Sequence, residues 1–226
     1  MYTTSPISAR FRTENMGDGG DSSRHRSRER GGGRHGVRAG GQIFDRAIEM
    51  RSNIELHVSP GAVLSFSTDP EHYPAVVSRW EGVLQQVHMS CIFGQDLENV
   101  ALTGYGTLDG NGGPWWDKKR NAPEELEFPR PKLISFDGCR RVTLRDLNLI
   151  NSPSWTVNPI RCSDVTIDNL SIHNPADSPN TDGINPESCR NVRITGCHID
   201  VGTTASRLRP APRIRRNASH AKILQL

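Results

Sequence analysis

Three stretches of this sequence repeat one spacing of apolar residues, and the repeat restricts the folds open to the chain. Within each stretch, apolar side chains occur at offsets 0, +2, +5 and +7 from a valine. The first valine is Val142, Val165 follows after 23 residues, and Val192 follows after a further 27. Such short alternating runs are typical of half-buried strands. The three sets are Val142, Leu144, Leu147 and Leu149; Val165, Ile167, Leu170 and Ile172; and Val192, Ile194, Cys197 and Ile199.

A repeat of about 20 to 30 residues built only from short strands predicts a parallel β-helix. One coil cannot bury its apolar face alone, so coils stack about 4.8 Å apart and equivalent residues form ladders. A leucine-rich repeat is the competing solenoid, but it needs a helical segment in each repeat, and no helical period occurs here. The sequence therefore predicts an all-β fold, a parallel β-helix.

Two ladders of polar or sulfur-containing residues accompany the apolar repeat. A cysteine lies three residues before each unit, at Cys139, Cys162 and Cys189. We expect a column of small buried thiols, with a disulfide or a metal role as the alternative. Asn151 and Asn174 both lie at offset +9. We expect these two side chains to bond the backbone at a corner of the coil.

The two ends of the chain lack the repeat and are rich in arginine. A chain with 34% hydrophobic residues, 21 Gly and 15 Pro fits either a turn-rich β protein with a thin core or a folded middle between disordered ends. We predict a disordered Gly/Arg-rich segment at 1–45, a partial β-helix domain at 46–202 and an irregular tail at 203–226. An RNA-binding arm is the alternative for 1–45, but aromatic residues that stack on bases are scarce there. A net charge of +3 does not by itself indicate a nucleic-acid partner.

Other patterns bear on cofactors and location. The five cysteines show no C-x-x-C spacing of the kind that binds a metal. No cofactor is expected. No run of about 18 apolar residues occurs, so no membrane span is expected. Residues 1–15 lack the apolar core of a signal peptide, and the chain as written should stay in the cytoplasm.

Four motifs follow one another within the repeat region. They are Gly-Tyr-Gly-Thr-Leu-Asp-Gly at 104–110, Trp-Trp at 115–116, Asn-Ser-Pro-Ser-Trp-Thr at 151–156 and Asn-Thr-Asp-Gly at 180–183. In this order, on a β-helix pattern, they make residues 46–202 resemble glycoside hydrolase family 28, the polygalacturonases. The resemblance implies a right-handed parallel β-helix that hydrolyses the α-1,4 bonds of galacturonan, the pectin backbone, with inversion. It also implies a polysaccharide substrate, a monomer and, in many members, secretion.

Of the catalytic groups that the resemblance implies, only Asp182, in the Asn-Thr-Asp motif, is found in this sequence. Inversion needs a protonated carboxyl for the leaving oxygen and a carboxylate that activates water, roughly 6.5 to 9.5 Å apart. By resemblance, Asp182 orients and deprotonates that water, Asn180 binds substrate and Trp155 lies near the cleft. From residue type alone, Asp182 before Gly183 is a turn residue, and Trp155 is a packing residue.

Several other residues near the motifs carry open alternatives. Trp115 and Trp116 either stack on sugar rings or anchor a loop against the coils. His198 lies in a strand pattern and is expected to be an outward polar residue rather than a base. Glu187 and Asp200 are carboxylates near the site, but neither occupies the position of the implied catalytic pair.

The resemblance stops abruptly after Gly202. The family pattern implies Asp-Asp-Cys-Ile-Ala there, whereas residues 203–207 read Thr-Thr-Ala-Ser-Arg. One possible encoding of Asp-Asp-Cys-Ile-Ala is GAC GAC TGC ATC GCG. Deleting its first base leaves codons for Thr-Thr-Ala-Ser and the start of an arginine codon, which matches residues 203–207. Residues 34–46 can likewise be encoded by codons that, read one base later, give a sequence typical of a first coil. We hypothesise that both ends are out-of-frame translations and that this truncated enzyme is impaired.

Two further functions fit a β-helix. A pectate lyase uses clustered carboxylates for Ca²⁺ and an arginine base, and the Asn-Thr-Asp motif argues against it. A polysaccharide-binding β-helix without catalytic activity is the other alternative. The leading prediction is an impaired glycosidase of the polygalacturonase type, acting on pectin or oligogalacturonate, with no cofactor and no nucleic-acid or membrane partner.

Overall fold

The computed structural model describes residues 10–13, 42–44 and 46–203, which form a solenoid of five stacked coils. Each coil adds one segment to each of three parallel sheets, so the predicted parallel β-helix is confirmed. Two strands precede the coils, β1 (Arg10–Thr13) and β2 (Gln42–Phe44). Both fall within the segment predicted to be disordered, and the rest of that segment lies outside the described residues, as does the tail from residue 204 onward.

The first coil is followed by a hairpin. Its strands are β3 (Ile48–Glu49), β4 (Ile54–His57) and β5 (Val63–Phe66). β1 pairs antiparallel with β4, and β2 pairs parallel with β5. A 3-10 turn at Pro70–His72 leads into the antiparallel hairpin, formed by β6 (Ala75–Trp80) and β7 (Val83–His88).

The second and third coils are separated by a short helical insertion. The second coil consists of β8 (Ile92–Gln95), β9 (Glu98–Thr103) and β10 (Thr107–Asp109). The insertion holds α1 (Gly113–Asn121) and a 3-10 turn at Pro123–Glu125. The third coil consists of β11 (Ile134–Asp137), β12 (Arg140–Arg145) and β13 (Asn148–Ile150). Among the described residues, none of the helices is long and apolar enough to cross a membrane.

The last two coils complete the described solenoid. The fourth coil consists of β14 (Val157–Ile160), β15 (Ser163–Asp168) and β16 (Ser171–His173). The fifth coil begins with parallel bridges from Ile184 and Glu187 to β14. It continues with β17 (Arg190–Thr195) and β18 (His198–Asp200). We call the sheet of β3, β8, β11 and β14, which the two bridges extend, the first sheet.

The register of the strands reproduces the sequence repeat. Val142 pairs with Val165, and Val165 pairs with Val192, so equivalent apolar residues stack from coil to coil. Side chains from all three sheets meet in one continuous core, in which Leu144 and Leu149 are almost completely buried. At about 25 cal/mol per Å² of apolar surface removed from water, this shared core is the main source of stability.

The predicted column of thiols is confirmed. Cys139, Cys162 and Cys189 are buried at equivalent positions of successive coils, and all five cysteines are free. The Cys162 thiol donates to the Phe136 carbonyl oxygen at 3.3 Å. Hydrogen bonding to the two neighbouring thiols, together with burial, raises the pKa of Cys162. These sulfur atoms therefore act as small packing groups.

Candidate active site

Asp182 lies in the turn that carries the chain from β16 to the first sheet. The residue is 7% exposed, and its carbonyl oxygen accepts a 2.9 Å hydrogen bond from the Thr156 amide. Within residues 46–203, its carboxylate makes no hydrogen bond or ion pair. A side chain that only stabilised its own turn would bond to nearby backbone amides. The carboxylate is therefore available to accept a proton or a hydrogen bond from a bound molecule.

The turn around Asp182 is held by a network that centres on Asn174. Asn174 is 1% exposed, and its Oδ1 accepts from the Ser152 amide at 2.8 Å. Its Nδ2 donates to the Thr181 carbonyl oxygen at 3.1 Å and to the Thr156 hydroxyl at 2.9 Å. The prediction that Asn174 bonds the backbone at a coil corner is confirmed. Asn151 differs, because its Nδ2 donates to the Asp109 carboxylate at 3.1 Å.

Asn180 lies two residues before Asp182 and adopts a left-handed backbone conformation, with φ of 57°. Its Oδ1 accepts a 2.9 Å hydrogen bond from the guanidinium of Arg130, a residue that the sequence analysis did not identify. A signal for Arg130 exists in the sequence. The intervals from Arg130 to Pro153 and from Pro153 to Asn180 are 23 and 27 residues, the same as those between the repeat valines.

Trp155 occupies the position in the fourth coil that Asp182 occupies in the fifth, since each lies two residues before a paired residue of the first sheet. Its ring is 1% exposed and stacks on the half-buried Trp80 with ring centroids 4.7 Å apart. The Lys132 ammonium lies 5.2 Å from the ring centroid, within the range of a cation–π contact. This burial favours the packing alternative, with Trp80 as the aromatic ring nearer to solvent.

The β6–β7 hairpin brings Trp80 and further polar groups onto the outer face of the first sheet. Arg79 forms a 3.2 Å ion pair with Glu187, whose side chain is 1% exposed. The Lys132 ammonium donates to the Arg79 carbonyl oxygen at 2.9 Å and to Asn158 Oδ1 at 2.6 Å. The hairpin lies outside the apolar repeat, so nothing in the repeat pattern indicated these contacts.

Two buried polar side chains at the start of the fifth coil retain unused hydrogen-bonding capacity. Neither Nδ2 nor Oδ1 of the fully buried Asn185 has a hydrogen-bond partner among the described residues. The same is true of Glu187 Oε2. Unpaired buried polar atoms cost about 1–3 kcal/mol each.

The remaining candidate residues have structural surroundings. Trp115 is 1% exposed and contacts Tyr73 edge to face at 5.6 Å between ring centroids. Trp116 donates from Nε1 to the Ser152 carbonyl oxygen at 2.9 Å. Both rings thus anchor α1 against the coils. His198 is exposed on β18, in agreement with the prediction of an outward polar residue. Asp200 is exposed and pairs with His173 at 3.0 Å.

Comparison with known proteins adds independent information on this region. The sequence profile of Glycosyl hydrolases family 28 matches residues 72–204. A probable polygalacturonase of Vitis vinifera is 35% identical over 182 residues, which cover 75% of this chain and 37% of the Vitis protein. Exopolygalacturonase B of Aspergillus niger is 35% identical over 116 residues, which cover 48% of this chain and 26% of that protein. The chain thus spans 37% and 26% of the lengths of these two curated relatives.

Solved structures show the same architecture. An exopolygalacturonase of Thermotoga maritima is 30% identical with a TM-score of 0.65, covering 76% of this chain and 47% of that chain. A polygalacturonase of Erwinia carotovora is 24% identical with a TM-score of 0.65, covering 80% of this chain and 50% of that chain. At this lower identity the second likeness concerns the fold alone.

Proposed function

The chain belongs to the glycosyl hydrolases of family 28, and from this premise we propose that it binds the α-1,4-linked galacturonan of pectin through the region around Asp182. The names of its relatives, a probable polygalacturonase and an exopolygalacturonase among them, support this substrate class. The reaction class is hydrolysis of the glycosidic bond with inversion.

The observation that carries the proposal is the state of the Asp182 carboxylate. It is nearly buried, yet it makes no hydrogen bond within residues 46–203, while the turn around it is tightly held. A carboxylate in a fixed position, open to one bound group, is suited to act as a general base on water. Asn180 lies beside it as a substrate-binding residue. Trp155 contributes to binding by supporting the ring of Trp80.

Catalysis by this chain is impaired because one of the two carboxyl groups that an inverting hydrolysis needs is missing from its implied position. Protonation of the leaving oxygen requires a second carboxyl group, and the family position for that pair holds Thr203 and Thr204. A threonine hydroxyl is too weak an acid to supply this proton. We therefore expect binding of galacturonan with little turnover, which also defines the second candidate function, a polysaccharide-binding β-helix.

Measurements of turnover and of binding distinguish an impaired hydrolase from a polysaccharide-binding β-helix. Release of reducing ends from polygalacturonate is measured for the wild type, for Asp182→Asn and for Asp200→Asn as an exposed control. Loss of general-base catalysis should lower the residual rate by about 100-fold or more in Asp182→Asn, while Asp200→Asn stays unchanged. Binding of polygalacturonate, followed by affinity electrophoresis, should persist in both variants.

Three outcomes contradict parts of this proposal. Failure of the wild type to bind polygalacturonate rules out the substrate class. A measurable wild-type rate that is unchanged in Asp182→Asn rules out the catalytic role. A calcium-dependent reaction with an unsaturated product indicates a lyase instead of a hydrolase. The proposal also treats the protein as a monomer, without a nucleic-acid or membrane partner, and light scattering of the purified chain tests the oligomeric state.

The reading frame of the two ends is a separate part of the proposal. We propose that residues 1–45 and 203–226 are translated out of frame and flank a partial catalytic domain at 46–202. Support comes from the fact that both ends can be encoded by codons that give family-like sequence when read with a one-base shift. Sequencing the locus across the codons for residues 31–47 and 202–211 decides this. Codons incompatible with the shifted strings would exclude a frameshift.

A further inference from the structure

Arg130 connects three successive coils at the candidate site. It precedes β11 in the third coil, and its side chain is 2% exposed. One terminal guanidinium nitrogen, Nη1, donates to the carbonyl oxygens of Pro153 at 2.8 Å and Pro179 at 3.1 Å. The other, Nη2, donates to Asn180 Oδ1 at 2.9 Å. The acceptors lie in the turns that enter the first sheet in the fourth and fifth coils, so Arg130 holds the segment that leads to Asp182.

This contact determines which way the Asn180 amide points. A guanidinium carries only donors, so the group that faces it must be the amide oxygen. The Nδ2 group, with its two N–H donors, is then directed away from Arg130. Within residues 46–203, this Nδ2 group makes no hydrogen bond. Asn180 therefore presents two unused donors two residues from the candidate catalytic carboxylate.

The charge of Arg130 has no negative partner among the described residues. Its three acceptors are two carbonyl oxygens and a neutral amide, and no ion pair involves it within residues 46–203. Burial lowers the pKa of Arg130 to about 10, so the guanidinium remains protonated at neutral pH. A buried cation that is hydrogen-bonded only to neutral groups favours an anion in its vicinity.

We propose that Arg130 is a positioning residue that turns the donors of Asn180 toward a substrate carboxylate and so makes the site prefer a free uronate to its methyl ester. The inference rests on the proposed function and deepens it. Arg130 is too buried to meet the substrate itself. It acts through the Asn180 amide, which becomes more strongly polarised as a donor while its oxygen accepts from a cation.

Binding of two matched ligands tests the preference. Dissociation constants are measured by calorimetry for trigalacturonate and for its fully methyl-esterified form. Charge-assisted hydrogen bonds are worth about 1.5–3 kcal/mol, or roughly 10- to 100-fold in affinity. In Arg130→Gln, the affinity for the acid should fall by about 10- to 100-fold. The affinity for the ester should fall by less than about threefold, because the ester carries no charge. Arg130→Lys, which keeps the charge, should recover part of the loss. An equal loss for both ligands in Arg130→Gln would show that Arg130 has only a structural role.

Asn180→Asp is a second variant that does not depend on the folding of the Arg130 variants. The new carboxylate should pair with Arg130, raise the midpoint of thermal unfolding and remove the two donors. Preference for the acid should then disappear, and preference retained in Asn180→Asp would overturn the proposal.

A ligand-free measurement separates this inference from the proposed function. In an assigned ¹H–¹⁵N spectrum, Arg130→Gln should shift the side-chain amide signals of Asn180. Those of Asn191, whose Nδ2 donates to Asp164 on another face, should not move. Unchanged Asn180 signals would overturn the positioning role. If the wild type binds neither ligand, the proposed function fails, while the spectrum still decides whether Arg130 orients Asn180.

Discussion

The indole of Trp155 stacks on the indole of Trp80, with ring centroids 4.7 Å apart and ring planes inclined by 13°. Trp155 belongs to the fourth coil, and Trp80 ends the first strand of the hairpin. The contact therefore joins the hairpin to the outer face of the solenoid. Because Trp155 lies at the coil position equivalent to Asp182, the hairpin packs one coil away from the candidate active site.

Removing the Trp80 ring should loosen the hairpin without unfolding the solenoid. Stacked aromatic pairs contribute about 0.5–1.5 kcal/mol beyond the area that they bury, so we expect Trp80→Ala to lower the free energy of unfolding by about 1–3 kcal/mol. Val83→Ala is the control, since Val83 is 61% exposed in the same hairpin. Urea denaturation followed by tryptophan fluorescence measures both. Equal effects in the two variants would show that the stack contributes nothing specific.

The ion pair between Arg79 and Glu187 should behave as a buried pair. The Glu187 side chain is 1% exposed and that of Arg79 is 18% exposed. Arg79→Met leaves a buried carboxylate without its partner, which typically costs about 3–5 kcal/mol. The exposed pair of Arg51 and Glu49 supplies the control, and Arg51→Met should change the unfolding midpoint little.

A double variant tests the origin of that cost. If desolvated charge causes it, Arg79→Met combined with Glu187→Met should recover most of the lost stability, because two apolar groups replace the pair. A double variant no more stable than Arg79→Met would show instead that side-chain packing in the hairpin is the dominant contribution.

Stability should fall at alkaline pH because of Cys91. Burial raises the pKa of this thiol from 9.0 to about 12. The unfolded chain releases the proton near pH 9.0, whereas the folded chain retains it until about pH 12. The protonated thiol therefore contributes fully to the free energy of unfolding below pH 9. This contribution is lost as the pH rises from 9 to about 12, by up to about 1.4 kcal/mol per pH unit. The free energy of unfolding, measured by urea denaturation across this window, should decline less steeply in Cys91→Ala, and parallel profiles would contradict the assignment.

Close backbone approach at Gly104 should make this position intolerant of a side chain. Gly104 has φ of +109°, and a Cβ there would lie 2.1 Å from the Val58 carbonyl oxygen. Gly104→Ala should cost about 3 kcal/mol or more, from backbone strain and overpacking together. Gly61→Ala is matched in the sign of φ, at +77°, but its Cβ would meet nothing within 4 Å. It should cost about 1 kcal/mol, and thermal unfolding compares the two.

Much of the fold could be predicted because each coil obeys the same rule. The offsets from Val142, Val165 and Val192 describe one buried face of a strand, a bend and a second strand, and stacking places equivalent residues in register. The motifs around Asp182 then predicted the family, which the profile match at residues 72–204 confirmed. The hairpin and α1 were not predicted, since each is an insertion between coils that the repeat does not constrain.

The periodic apolar residues account for the solenoid, its register and the place of Asp182 in it, because each coil must share its core with its neighbours. Only the folded molecule shows that Trp155 is covered by Trp80 and that the Asn180 amide oxygen faces Arg130. These contacts join residues 75 and 50 positions apart in the chain. The first contact depends on how the hairpin folds over the sheet, and the second depends on which acceptors lie next to the buried guanidinium of Arg130. No local sequence pattern encodes either contact.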